Sequence, residues 1–286
     1  MASTVGADRE QYNQARQKNS WYTLSLIIVA LLYLALILFF PVLSVIYAAF
    51  SKGIPAFVTS LRGEDFIHAV KLTILMAGIA VPANAVFGLC AAWVIARNRF
   101  PGRALLISLI DLPFAVSPVV AGLIILLLYG RQGWFGGLLE SWNINIVFAI
   151  PGIVLATTFV SMPFVAREVI PVLEEIGPAE EEAARTLGAS NWQIFWRVTV
   201  PNIRWGLLYG LLLTNARAMG EFGAVSVVSG NIAGQTQTLP LYVEDAYKNY
   251  QTQEAFAASL MLGLLALITL VLKEILERST PYGKPK

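Results

Sequence analysis

Arg217 and Glu221 stand four residues apart in a long apolar stretch, a spacing that puts two side chains on one face of a helix. Inside a membrane each such charge costs from about 2.5 kcal/mol upward, so it must face a protein interior or a water-filled cavity. One reading is a neutralising pair that holds helices together. The other is a positive group facing a polar path, with Thr214, Asn215, Ser226 and Ser229 nearby to add hydrogen-bonding groups. Elsewhere reactive groups are scarce. His68 and Cys90 are the sole histidine and cysteine, which leaves no histidine-based catalytic set, no metal cluster and no intramolecular disulfide. Their plain reading is a loop residue and a small packing residue. No Gly-xxxx-Gly-Lys-Ser/Thr loop occurs, so the usual cradle for ATP phosphates is missing. The sequence therefore assigns no catalytic residue and no metal ligand.

The elements that hold these residues are membrane helices. Hydrophobic residues make up 57% of the 286 and charged ones 13%, against about 25% charged in soluble domains. Six apolar segments stand out, at about 21–50, 69–96, 104–129, 146–172, 205–229 and 255–276, each near the roughly 20 residues that cross a bilayer as helix. The first is too long for the apolar part of a secretory signal and is expected to be an uncleaved helix. Pro151 and Pro163 predict kinks in the fourth, and Pro113 and Pro118 a bend in the third. Gly206, Gly210, Gly220 and Gly223 predict close helix packing. The expected class is an all-α polytopic membrane protein with about six transmembrane helices.

Orientation follows from Lys and Arg placement. With the N-terminus cytoplasmic, the inner side collects Arg9, Arg16, Lys18, Arg97, Arg99, Arg103, Arg167, Arg185, Arg197, Arg204, Lys273, Arg278, Lys284 and Lys286. The outer side collects only Lys52, Arg62, Lys71, Arg131 and Lys248. Both termini are thus expected inside. The organisation reads as a cytoplasmic segment 1–20, a transmembrane domain 21–276 and a cytoplasmic tail 277–286. A net charge of +2 gives no sign of a nucleic-acid partner.

The longest cytoplasmic connection, 173–204, differs from the rest. Pro178 followed by Glu180, Glu181 and Glu182 reads as a helix start, with acids at the positive helix end. Gly188 ends that helix. A second short helix, Ala189 to Arg197, carries Trp192, Phe195 and Trp196, and Pro201 is expected to stop it. Glu182-Ala183-Ala184, three residues, Gly188, nine residues and Val198-Thr199-Val200-Pro201 resemble the EAA motif of ATP-binding-cassette importer permeases. Val198 and Val200 depart mildly from that pattern, which has Ile and Leu.

Other stretches resemble the sulfate and molybdate permease group: Asp111-Leu112-Pro113 with Ser117-Pro118, Arg217 to Ala224, and Ser229-Gly230-Asn231. Thr236-Gln237-Thr238-Leu239-Pro240-Leu241 looks most like W-type inner-membrane subunits of sulfate/thiosulfate permeases. The resemblance implies a type I importer permease fold in a bacterial inner membrane. It implies docking of the loop, through Glu182, Ala183, Ala184, Gly188, Trp192, Phe195 and Pro201, into a groove on an ATPase. The partners implied are a T-type sister permease, a dimer of ATP-binding subunits, an external sulfate/thiosulfate-binding protein and membrane lipid. ATP and Mg would be used by the ATPase, and no cofactor by this chain. Arg217 would then lend positive potential to the path of a doubly charged anion. Molybdate or another oxyanion is the alternative cargo. An ion-gradient-driven secondary transporter would leave the loop unexplained, and a membrane enzyme lacks a catalytic set.

Overall fold

The computed structural model describes residues 21–278, and every regular element among them is helical. Expectations placed on 1–20 and on the tail beyond 278 fall outside those residues. The order is α1 (Trp21–Phe50), α2 (Ile54–Ser60), α3 (Glu64–Arg97), α4 (Arg103–Ala115), α5 (Pro118–Tyr129) and α6 (Gly136–Ser141). Then come α7 (Ile150–Ser161), α8 (Pro163–Ile176), α9 (Ala179–Thr186), α10 (Asn191–Ile194), α11 (Val200–Met219), α12 (Gly223–Val228), α13 (Leu239–Lys248) and α14 (Thr252–Arg278).

Four stretches are long and apolar enough to cross a membrane: α1, α3, the α7–α8 run and the Thr252–Leu272 part of α14. The other two apolar segments are broken. Segment three turns by 106° between α4 and α5 and counts as a fifth span if the pair is one crossing. Pro118 is the cause, because it drives Ser117 into extended backbone (φ −57, ψ 135) and no helix continues through that residue. Segment five ends as a helix at Met219 and restarts at Gly223 as the short α12, which packs on α5 and α7. Pro151 and Pro163 prove to be helix-start residues of α7 and α8, with Met162 the joint between them.

The α7–α8 run is the centre of the bundle. Half of its most apolar window is buried, against 0% for that of α1, which meets the bundle only near its end, where Ala49 is buried. Val165 of α8 is gripped from two sides. A Cβ on Gly88 of α3 would lie 2.6 Å from its side chain, and one on Gly210 of α11 would lie 2.9 Å from its Cα. Gly206 and Gly223 likewise give room to Val172 and Pro118, as expected of packing glycines, whereas Gly220 meets only its own helix.

At one end Phe66 and Ala69 of α3 meet Leu239, Tyr242 and Ala246 of α13 and Ala255 and Ala258 of α14. There the Tyr242 hydroxyl donates to Glu254 at 3.2 Å. Burial and that carboxylate push its pKa up to about 12, so it stays a donor at any physiological pH. At the other end, where the 173–204 connection lies, Ala92, Val165, Val169, Leu173 and Ile203 form the core.

Two expectations need correction. His68 is not in a loop but in the second turn of α3, with Nδ1 buried. Cys90 is exposed on α3 rather than packed, because Gly88 and Ala92 occupy the buried face beside it. Arg167, counted on the inner side, lies in the Ile150–Ile176 run, on the stretch of α8 that leads to the bracket.

Candidate functional site

The connection between α8 and α11 is a rigid bracket. Pro178 caps α9, and Glu180, Glu181 and Glu182 fill its first turn. The helix ends in a glycine stop: Gly188, at φ +85, donates to Arg185 O at 3.0 Å, and Ala189 reaches back to Ala184 O at 3.1 Å. A side chain at 188 is strained whatever the space around it. Two residues on, Ser190 and Gln193 form a reciprocal cap: Ser190 N–H donates to Gln193 Oε1 at 2.9 Å, and Gln193 N–H to Ser190 Oγ at 3.4 Å.

Pro201 does not stop the second helix. A π turn at Phe195–Thr199 precedes it, Val200 N–H bonds Phe195 O, and the chain runs helically from Asn191 to Met219. The missing proline N–H falls where the ladder is already displaced. Pro41 in α1 follows a π turn at Ala35–Phe39 with the same offset.

One charged contact fixes the bracket to the bundle. At the end of α3, Arg97 donates from Nε to Glu181 Oε2 at 2.9 Å and from Nη2 to Oε1 at 3.0 Å. Its Nη1 donates to Leu173 O at 2.7 Å, and Thr199 Oγ1 donates to Glu181 Oε1 at 2.9 Å. Both charged side chains are about nine-tenths buried. Asn202 of α11 also donates to Glu180. A single carboxylate thus joins α3, α9 and the start of α11.

The outer surface of the bracket carries large apolar side chains among charged and polar ones. Leu187 is 89% exposed, Trp192 70% and Trp196 51%. Phe195 packs edge-on against Trp196 at 5.3 Å between ring centroids. Glu182, Ala183, Gly188 and Pro201 are exposed and Ala184 is half-buried. Sequence reasoning found this surface but missed Arg97, Glu181 and Thr199 beneath it. It also passed over the Ser190/Gln193 cap, whose Ser-x-x-Gln spacing was readable.

The second group lies at the α11–α12 break. Arg217 is in the last turn of α11, and its Nη1 lies 2.5 Å from Glu221 Oε2, off the line of a hydrogen bond. Glu221 sits past the helix end rather than mid-helix, almost wholly buried, and its Oε1 accepts from Ala224 N–H at 2.9 Å. It therefore caps α12. Asn215 Nδ2 donates across to Thr269 Oγ1 of α14 at 3.2 Å. Thr214 donates to Gly210 O at 2.7 Å and Ser226 to Gly223 O at 2.9 Å, while Ser229 Oγ accepts from Asn231 N–H at 3.1 Å. Thr214 and Ser229 are fully buried, whereas the Arg217 side chain keeps 30% of its surface open. The structure brings Arg217 and Glu221 together and puts the two serines on the far side of the break.

Residues 84–280 match the family described as the binding-protein-dependent transport system inner membrane component. The chain belongs to that family. It is 64% identical to the sulfate transport system permease protein CysW of a Synechocystis species, over 91% of this chain and 94% of that protein. It is 39% identical to the sulfate transport system permease protein CysT of Escherichia coli K12, over 86% of this chain and 90% of that one. Among solved structures it resembles a bacterial alginate ABC transporter, crystallised with an alginate pentasaccharide-bound periplasmic protein. The TM-score there is 0.75 at 20% identity, over 92% of this chain and 96% of the other. That likeness shows a shared fold, the type I importer permease architecture. The chain is thus a multi-pass membrane component of a transport system.

Proposed function

We propose that this chain is the W-type permease subunit of an ATP-driven importer for sulfate and thiosulfate. In that complex it pairs with a T-type sister permease above a dimer of ATP-binding subunits, and an external binding protein delivers the anion. The identity to CysW along nearly the whole chain supports the cargo. The 39% identity to CysT supports a homologous partner. The bacterial inner membrane is the location, with both termini cytoplasmic, as the Lys/Arg asymmetry favours.

The observation that carries the mechanism is the bracket: an exposed aromatic surface on a frame bolted to the bundle by Arg97 and Glu181. The surface docks on the ATPase. When ATP binding closes the two ATPase subunits, the docked brackets of both permeases are drawn together. The motion enters the membrane by two rigid routes. One is the Arg97–Glu181 contact to α3. The other is the helix from Asn191 to Met219, which spans about 43 Å at 1.5 Å per residue. Its far end is the α11–α12 break, where Arg217 supplies positive potential along the path of the dianion. Closure turns the path outward, and hydrolysis with product release resets it. ATP and Mg act on the partner, and this chain is the non-catalytic conduit.

Uptake of radiolabelled sulfate, thiosulfate and molybdate in a strain lacking the chain tests the reading. Sulfate and thiosulfate uptake is expected to fall to background and to return with a plasmid copy. Loss of molybdate uptake alone would overturn the cargo, and no loss of any would overturn the importer reading.

A further inference from the structure

A second arginine–carboxylate pair, with its arginine in the Ile150–Ile176 run, lies away from the α11–α12 break. Arg167 Nε donates to Asp111 Oδ1 at 2.7 Å, joining α8 to α4. Its depth can be read from the contacts at the bracket end. Arg97 bonds Leu173 O, and Arg103 pairs with Glu174, so those residues mark one edge of the bundle. Arg167 lies six residues deeper along α8, about 9 Å, and Asp111 eight residues deeper along α4, about 12 Å. An arginine that merely snorkels reaches back toward the edge. This one is tied to a carboxylate at least as deep as its own Cα.

Both side chains are open, Arg167 by 54% and Asp111 by 30%. Lipid is a costly environment for either. The buried face of α8 is Val165, Ala166, Val169 and Leu173, and Arg167 points the other way. The Phe114 ring lies 4.7 Å from the guanidinium carbon and packs edge-on against Phe164. The guanidinium is thus held by one ring and one carboxylate, and among the described residues its two Nη groups have no protein acceptor. The 106° turn between α4 and α5 follows Phe114 within three residues.

We propose that Arg167 is a stepping site for a tetrahedral oxyanion dianion in the half of the membrane nearer the bracket, with Asp111 as its resident counter-ion. The proposal rests on the sulfate-importer reading. The free Nη donors offer the paired hydrogen bonds that suit an oxyanion. Asp111 neutralises the arginine while the path is empty and competes with the anion when it arrives, which keeps the site weak enough to release. Glu221 cannot play that part for Arg217, because its other oxygen caps α12 and it has no exposure to give up.

The test uses the whole complex in proteoliposomes, with loaded binding protein outside and ATP within, and reads sulfate delivered per ATP hydrolysed. Arg167→Gln with Asp111→Asn removes both charges and keeps the shapes. Assembly and binding-protein-stimulated hydrolysis are expected within about twofold of wild type, with sulfate per ATP at least tenfold lower. Arg167→Lys keeps the charge and loses the fork, and its ratio is expected several-fold lower, between the two. A wild-type ratio in the double variant, or in Arg167→Lys should the double variant not assemble, would overturn the stepping site and leave a neutralising pair. Absence of sulfate uptake by the wild-type complex would instead overturn the importer reading, so the two failures are told apart.

Discussion

Two Arg–Glu contacts in this chain use the same chemistry for different ends. Arg97 and Glu181 are distant in sequence and join α3, α8, α9 and the start of α11 through two parallel hydrogen bonds, a third to Leu173 O and a fourth from Thr199. Arg217 and Glu221 are one turn apart, and their carboxylate serves first as the cap of a new helix. The first is a joint between bodies. The second is a terminus with a charge attached. The lesson is that an arginine–carboxylate pair cannot be assigned a role from its types or spacing: what else the carboxylate holds decides it.

The largest effect is expected at the joint. Arg97→Met leaves Glu181 buried without its cation, a loss of about 3 kcal/mol or more for such a pair. Sulfate uptake is expected to vanish and α9 to become protease-sensitive, while the subunit still co-purifies with its sister permease. Uptake above half of wild type would show that the joint transmits nothing. A smaller effect of the same kind belongs to Gly188→Val, which strains a φ of +85 by about 1–3 kcal/mol. Uptake is expected to fall at least tenfold with normal membrane insertion, and normal uptake would contradict a rigid bracket.

The third variant sharpens the contrast at the terminus. Arg217→Met with Glu221→Gln keeps a side-chain oxygen for Ala224 N–H and removes both charges together. Assembly is expected at wild-type level and uptake reduced only several-fold. Glu221→Leu with Arg217→Met removes the cap as well, costing about 1 kcal/mol more. If the two double variants assemble equally well, measured by yield of intact complex, the carboxylate is not a cap.

The bracket was legible because its signals are local: proline and acids at a helix start, glycine at its end, aromatics on the surface of the next turn. The joint beneath it was not, since nothing in the sequence links Arg97 to Glu181 across 84 positions. Helix breaks were only half legible. Pro118 marks the bend in segment three, but nothing apolar or proline-rich marks the stop at Met219, where a buried carboxylate starts the next helix. Pro201 misled in the opposite sense, because a π turn carries the helix through it. The Arg167–Asp111 contact was as illegible as the joint, because nothing in the sequence links two positions 56 residues apart.

If the importer works as proposed, the aromatic surface of the bracket is where the ATPase docks. Trp192→Ala with Trp196→Ala alters only that surface, since both rings are mainly exposed and leave the Arg97–Glu181 joint untouched. Truncating central aromatics of an interface typically costs about 2–4 kcal/mol. The decisive measurement is how much ATPase co-purifies with the tagged double variant. At least a tenfold loss is expected, with the sister permease still retained. Wild-type amounts of ATPase on the variant complex would contradict it.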